Sequence, residues 1–389
     1  MKKILVIVTI ITLGLIGILF NYQNNNDKAI YESSSTSNNK IVSSNALTMM
    51  YETEAGSGEY QVTSDTTWPQ EGYVFNEQLS ACENGSELSW DDENKRVIVS
   101  TSVSDKCYVY FDVYALIFSD YIINDIYTED GANGLYYHDG VGSYMNANQE
   151  AEDSSYRFSG ADPNNYVCFG SDEGTCPADN LYRIIGVFGN QVKLIKNARI
   201  GYNYWSGSIS NDNNTWSSST LNTEILNGTY LNTLGSEWTS KIATTSWKVG
   251  GNTAPNILNA TPKTAYINEI ESPAEATTYN AKIGLMYVSE YGYAASPENW
   301  NTKLNYYGNA TNRDNNWMFM GGVEWTISRR SGTTSIAFYV FGDGNVNANN
   351  VNDVSVSYSG YGVRPSFYLE SGVTYVSGDG SIDFPFRIQ

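Results

Sequence analysis

Histidine is almost missing from this chain. Among 389 residues there is one, His138, and cysteine is nearly as scarce, with four. Ser-His-Asp and Cys-His catalysis both need an imidazole base. His138 lies in the Gly/Asp-rich string YYHDG (136–140), where an exposed loop residue is expected, so neither kind of site is expected. No C-x-x-C spacing occurs, which removes the usual zinc and dithiol redox patterns. Positive charge is also short: 22 basic residues face 42 acidic ones, for a formal net charge of −20. Repulsion would oppose the approach of DNA, RNA or anionic lipid, so no nucleic-acid partner is expected. The chain reads as a non-enzymatic protein without a cofactor.

Long apolar runs are absent except for one. Lys2 and Lys3 precede an almost unbroken apolar stretch at 4–20, and the chain then turns polar at NYQNNND (21–27). Basic, apolar, polar is the order of a secretion signal or a signal anchor, with the C-terminal remainder outside the cell. As a helix the run spans about 25 Å at ~1.5 Å per residue. Lys2 and Lys3 can snorkel to the headgroups to match a core of ~30 Å. No small-x-small cleavage site follows, which favours a retained single-pass anchor. A secreted protein results if the leader is cleaved. No cysteine ends the run, so a lipidated anchor is not expected.

An oxidising compartment lets the four cysteines pair. Three connectivities are possible. Closeness in sequence favours Cys82 with Cys107 and Cys168 with Cys176. Tyrosine is abundant, with 31 residues, and aromatics make up 14% of the chain, a bias that suits β structure.

Residues 21–50 are rich in Asn, Ser and Thr and read as a flexible stalk. From 51 to 125 the pattern is β: KRVIVST (95–101) and CYVYFD (107–112) are strands, the latter with Cys107, Val109 and Phe111 on one face. Trp90 lies between the two cysteines, as in β-sandwiches where a Trp packs on the bridge. Residues 126–165 read as an exposed connecting segment. From 166 to 389 a larger α+β domain follows. It opens with a hairpin, LYRIIGVF (181–188) and QVKLIK (191–196), joined by Gly189-Asn190. Short amphipathic helices are predicted between Leu221 and Ile242. Strands are predicted at 281–288, 324–329, 336–341 and 362–369, and a Gly-containing bend at 290–295.

These strings carry a resemblance. LYRIIGVF (181–188), AKIGLMYVSEYGYA (281–294), EWTISRR (324–330), GVRPSFYL (362–369) and FPFRI (384–388) resemble a domain found in secreted and surface proteins of gut-type Gram-positive bacteria. That family is of uncharacterised function. CENGSELSWD (82–91) with SDKCYVYFD (104–112) resembles a module that precedes such domains. The resemblance implies a C-type-lectin-like, formylglycine-generating-enzyme-like α+β domain on a cell surface. The enzymes of that fold need reactive cysteine or copper chemistry. No cysteine follows Cys176, so that activity is not carried over.

Several residues are candidates for a site. Arg364, beside Pro365, is costly to bury unpaired and calls for a partner, with Glu324 as the candidate. Tyr202, Tyr204, Trp205, Trp216, Trp300, Tyr306 and Tyr307 lie in Asn/Ser/Gly-rich strings, where aromatic plates beside amides suit a glycan or protein ligand. Core packing is the alternative for each. Asp343, Asn345 and Asn347 echo the start of a calcium loop, but Ala348 and Val354 replace the required Gly and Glu. A glycoside hydrolase using two carboxylates is the enzymatic alternative, although no pair stands out. A structural envelope protein without a ligand is another.

Overall fold

A computed structural model describes residues 47–53, 57–63, 72–100, 105–206, 213–351 and 360–389. The expected leader at 4–20 and the stalk up to residue 46 lie outside them. The chain divides into two compact units, Met1–Ala115 and Leu116–Gln389. The fold is α+β, mostly sheet, with two disulfides.

In the first unit, strands β1 (Leu47–Glu52), β2 (Tyr60–Thr63), β3 (Tyr73–Cys82) and β6 (Cys107–Val113) form a sheet of order β2-β1-β6-β3. β1 therefore takes in residues 47–50, expected as stalk. Strands β4 (Glu87–Asp91) and β5 (Arg96–Ser100) form a separate ribbon. The alternation read in β6 holds: Cys107, Val109 and Phe111 are buried and their neighbours half-buried. Met49, Val97, Val109 and Phe111 are the buried centre. Trp90 belongs to this core rather than to a bridge: it stacks on Phe75 at 5.6 Å and meets Phe111 edge-on at 5.7 Å. Cys82 and Cys107 are directly opposite in the β3–β6 pairing and are bonded to each other.

The second unit starts at Leu116, earlier than the expected limits of 125 and 165. Residues 126–165 are not an exposed connection. They supply β7 (Leu135–Tyr137) and β8 (Tyr156–Phe158) to the principal sheet. That sheet continues with β9 (Tyr166–Cys168), β10 (Leu181–Phe188) and β11 (Gln191–Lys196). The Gly189-Asn190 hairpin forms with the expected limits. β10 is the spine, pairing β11 on one side and β9 then β8 on the other. Gly186 sits at an irregularity in the register, where a Cβ would be 2.2 Å from the Tyr156 carbonyl.

A second, five-stranded sheet comprises β12 (Gly201–Asn203), β15 (Glu324–Arg329), β16 (Ile336–Val340), β17 (Val346–Asn350) and β18 (Tyr361–Val363). Its order is β12-β18-β15-β16-β17. The ribbon of β13 (Thr245–Lys248) and β14 (Thr278–Ala281) comes before β15 in the chain. The expected strand at 362–369 is split. β18 belongs to the second sheet, whereas β19 (Ser366–Tyr368) pairs β11 in the first. Arg364 and Pro365 make the crossing; proline has no N–H for a ladder, so a break falls there.

Helix runs through most of Leu221–Ser240, as the spacing predicted, although its first ten residues form a wide, π-type turn. The strand predicted at 281–288 is wrong. After β14 the chain makes one bridge, Gly284 to Ser366, and then a helix, Val288–Tyr293. A Cβ on Gly284 would press on the Trp247 ring at 2.8 Å, so this is a close crossing rather than a pleated run. The bend predicted at 290–295 falls largely within that helix. A short fully buried apolar run does not distinguish strand from helix.

Candidate functional site

The candidate site lies where β12, β18 and β15 run side by side. Tyr202 pairs with Gly362, and Gly362 with Glu324. Residues opposite one another in a sheet point to the same face. Tyr202, the empty position of Gly362 and Glu324 therefore form one row. Arg364, just beyond the end of β18, turns its guanidinium onto Glu324.

Glu324 and Arg364 are 2% exposed each and form an ion pair through Arg364 Nε and Glu324 Oε1. Arg364 Nη2 donates to the Met318 carbonyl at 2.8 Å and lies 3.9 Å from the Met286 sulfur. A second arginine, which the residue pattern alone did not single out, completes the group. Arg199 Nη2 lies 3.7 Å from Glu324 Oε2. Its stem crosses Gly362, where a Cβ would be 2.4 Å from Arg199 Cδ. The missing side chain of Gly362 is thus the slot through which Arg199 reaches the carboxylate. One glutamate faces two guanidiniums. Arg364 is sealed, while the Arg199 side chain keeps 15% exposure. Arg199 Nε and Nη2 are buried, and among the described residues no group accepts a hydrogen bond from them. The signal in the sequence was the strand glycine, which marks close approach of another group.

Three loops gather at this end of the sheet. The Met320–Gly322 turn covers Arg199: a Cβ on Gly322 would sit 3.3 Å from Arg199 Nη2. Gly342 approaches Gly322 just beyond the end of β16, and the Gly308 N–H donates to Asn345 Oδ1 at 2.6 Å. These loops expose Tyr306 (62%), Phe341 (41%) and Met320 (37%), and the edge strand exposes Tyr202 (37%).

The other expected aromatic plates are corrections. Trp205, Trp216, Trp300 and Tyr307 are wholly buried, and Tyr204 is half-buried. Trp205 packs on Trp216 and Trp325 at 5.1 and 5.7 Å. Trp300 Nε1 donates to the Ala295 carbonyl, and the Tyr307 hydroxyl to the Gly292 carbonyl. Polar loop strings hide these rings because long loops need apolar anchors of their own, and an indole or phenol can also bind a loop carbonyl.

The calcium-like string is a hairpin. Asp343 Oδ1 and Oδ2 accept from Asn345 N and Nδ2, Asn345 Oδ1 accepts from Gly308, and Asn347 lies on β17 opposite Tyr339. These oxygens are engaged in turning the chain. Among the described residues no group of three or more His, Cys, Asp or Glu side chains could hold a metal.

A separate set of charges is buried in the core, and no local pattern in the chain announces it. Lys193 Nζ lies 2.5 Å from Glu290 Oε1, with Trp247, Tyr287 and Tyr368 around it at 4.7–4.9 Å. Burial pushes this amine below the usual lysine range, and Glu290 works against that. Glu290 Oε2 also accepts from Tyr287 N, while Glu269 accepts from the N–H groups of Val288 and Ser289 and from Ser328. Two glutamates thus satisfy the start of the buried helix Val288–Tyr293. Burial raises the Glu269 carboxyl above the usual range.

His138 is a second correction. It is fully buried, with rings of Tyr293 and Trp300 at 4.8 and 5.1 Å, and it is not on an exposed loop. Its Nδ1 accepts from the Ala151 N–H at 3.0 Å. Burial, and then the Arg157 charge, hold its pKa well below the usual histidine value. Nearby, burial would raise Asp153, but Arg157 and Ser155 hold it at about 2. These groups are enclosed and hold elements together.

Comparison with protein-family models, curated proteins and solved structures returned no match. Among the described residues no helix is long and apolar enough to cross a membrane.

Proposed function

We propose that this is a cell-surface binding protein, held by the leader at 4–20 or secreted after its removal. Its second unit presents a ligand face at the loop end of the five-stranded sheet, in the manner of a lectin-like domain of the surface-protein family that its strings resemble. The observation that carries this reading is the gathering of exposed Tyr202, Tyr306, Met320 and Phe341 around glycine-bearing loops that bind one another. Exposed apolar side chains on a fixed framework are suited to recognition, since little ordering entropy is lost on binding. The disulfides and the acidity suit an extracellular setting. Glycans and surface proteins are the ligand classes such a face would take.

The test uses the full chain in a mild detergent, applied to a glycan array and to intact cells. Retention is expected, with a loss of about tenfold in the double variant Tyr306→Ala/Phe341→Ala. Absence of any retained glycan or protein would defeat the reading. Cleavage of polysaccharide, abolished by one Asp or Glu substitution, would replace it with a hydrolase.

A further inference from the structure

We infer that Arg199 is the polar anchor of this face, and that the ligand is a glycan bearing a carboxylate, of the uronic acid type. The inference rests on the binding-face reading above and adds the chemistry of the bound group.

Charge and hydrogen bonding both lead to Arg199. Glu324 carries one negative charge and is shared between two guanidiniums, so the cluster has an excess of one positive charge. Arg364 takes the close contact with Glu324 and is further satisfied by the Met318 carbonyl. Arg199 is left at 3.7 Å from Glu324, beyond hydrogen-bond range. Its Nε and Nη2 are buried with no acceptor among the described residues. Buried donors are almost always satisfied, and an exception asks what group satisfies them. A carboxylate would do so as a charge-assisted pair, and the planar fork of arginine suits its two oxygens.

The approach is built for a ligand from outside. The Met320–Gly322 turn over Arg199 contains Gly321 and Gly322, with φ of +59° and +130°. No side chain at either position bars the way, and the Arg199 side chain keeps 15% exposure beneath the turn. Tyr202, paired with the Gly362 that the Arg199 stem crosses, offers a partly exposed ring on the same face of the sheet. Sugar rings lie well on aromatic faces, which favours a saccharide over an extended peptide at this edge.

The charge of the whole chain limits the choice further. At −20 it repels polyanions at long range. Beyond ~8 Å that repulsion is screened at physiological salt, while a contact at Arg199 is local. A glycan with few carboxylates is therefore accepted, and a long, densely charged polymer is not.

The experiment titrates the full chain, in mild detergent, with short oligogalacturonides and with galactose oligomers of the same length, which are neutral. The uronic series is expected to bind more tightly, with binding that weakens as salt rises. Arg199→Met, which keeps the length of the stem, should lose about ten- to a hundredfold of that affinity. Arg199→Lys should retain part of it. Gly362→Ala, which closes the slot beneath Arg199, should reproduce the Arg199→Met loss. Thermal melts of each variant show whether a loss comes from unfolding. If neutral sugars or a protein are retained and Arg199→Met binds them as the parent does, the carboxylate inference fails while the binding face stands. It fails in the same way if the oligogalacturonides bind no better than their neutral counterparts. If nothing at all is bound, both fail.

Discussion

At the scale of single residues, burial decides what each titratable group does. His138 is the clearest case. Its Nδ1 accepts from a backbone N–H, so in the neutral ring the proton is on Nε2, and no room is left for a second one at Nδ1. Arg157 adds unfavourable positive charge. In the unfolded chain histidine takes up a proton below about pH 6.5. The unfolded state then binds more protons than the folded one, so stability falls as pH falls below that value. The slope is at most about 1.4 kcal/mol per pH unit. Glu150 and Glu269 act in the opposite sense. Burial raises both, so the folded state takes up their protons first and gains stability on acidification. The histidine contribution is isolated by difference. Between pH 7 and pH 5 the melting temperature of the parent should drop further than that of His138→Gln. Equal drops would show that His138 titrates normally.

At the scale of elements, glycine marks the places where backbones come unusually close. Gly186 is the example in the principal sheet, where β8 pairs with β10 beside the irregularity. A methyl group there would meet the Tyr156 carbonyl at 2.2 Å, and that oxygen cannot turn away as the end of a side chain could. Gly186→Ala should cost about 1–3 kcal/mol, read from denaturant midpoints at unchanged slope. A neutral effect would mean that β8 and β10 are not held at this spacing. Pro365 marks another kind of boundary. Hydrophobicity alone made 362–369 one strand, because both halves are buried and β-prone. The missing N–H at Pro365 and the charge of Arg364 divide it between two sheets.

At the scale of the molecule, the two units depend on their disulfides to different degrees. The first has a small buried centre, Met49, Val97, Val109 and Phe111. Small cores leave little margin, and cross-links supply it. The Cys82–Cys107 bridge closes the longer loop, and the chain-entropy model assigns it about 3.5 kcal/mol. Cys168–Cys176 closes a shorter one, at about 2.6 kcal/mol, within a unit whose core is far larger. Adding reductant should therefore lower the melting of the first unit more than that of the second, as followed by calorimetry. Unchanged melting of the first unit would show that its core suffices.

Sequence by itself determined what is local. The hairpin at Gly189-Asn190, the alternation in β6, the helices after Leu221 and the pairing of neighbouring cysteines were all legible, because turn residues and periodicity act over a few positions. The partnership of Glu324 and Arg364, 40 residues apart, was legible for a different reason: an arginine next to a strand proline needs a carboxylate or several carbonyls if it is buried, and Glu324 was the candidate carboxylate. Tertiary structure alone decided which aromatics face water. Trp205, Trp216, Trp300 and Tyr307 share their Asn-rich setting with Tyr306, yet only packing against distant rings and carbonyls separates buried from exposed. It also decided that Arg199 threads past Gly362, and that Lys193 meets Glu290 across 97 residues. Such contacts depend on long-range register, which no short window of sequence contains.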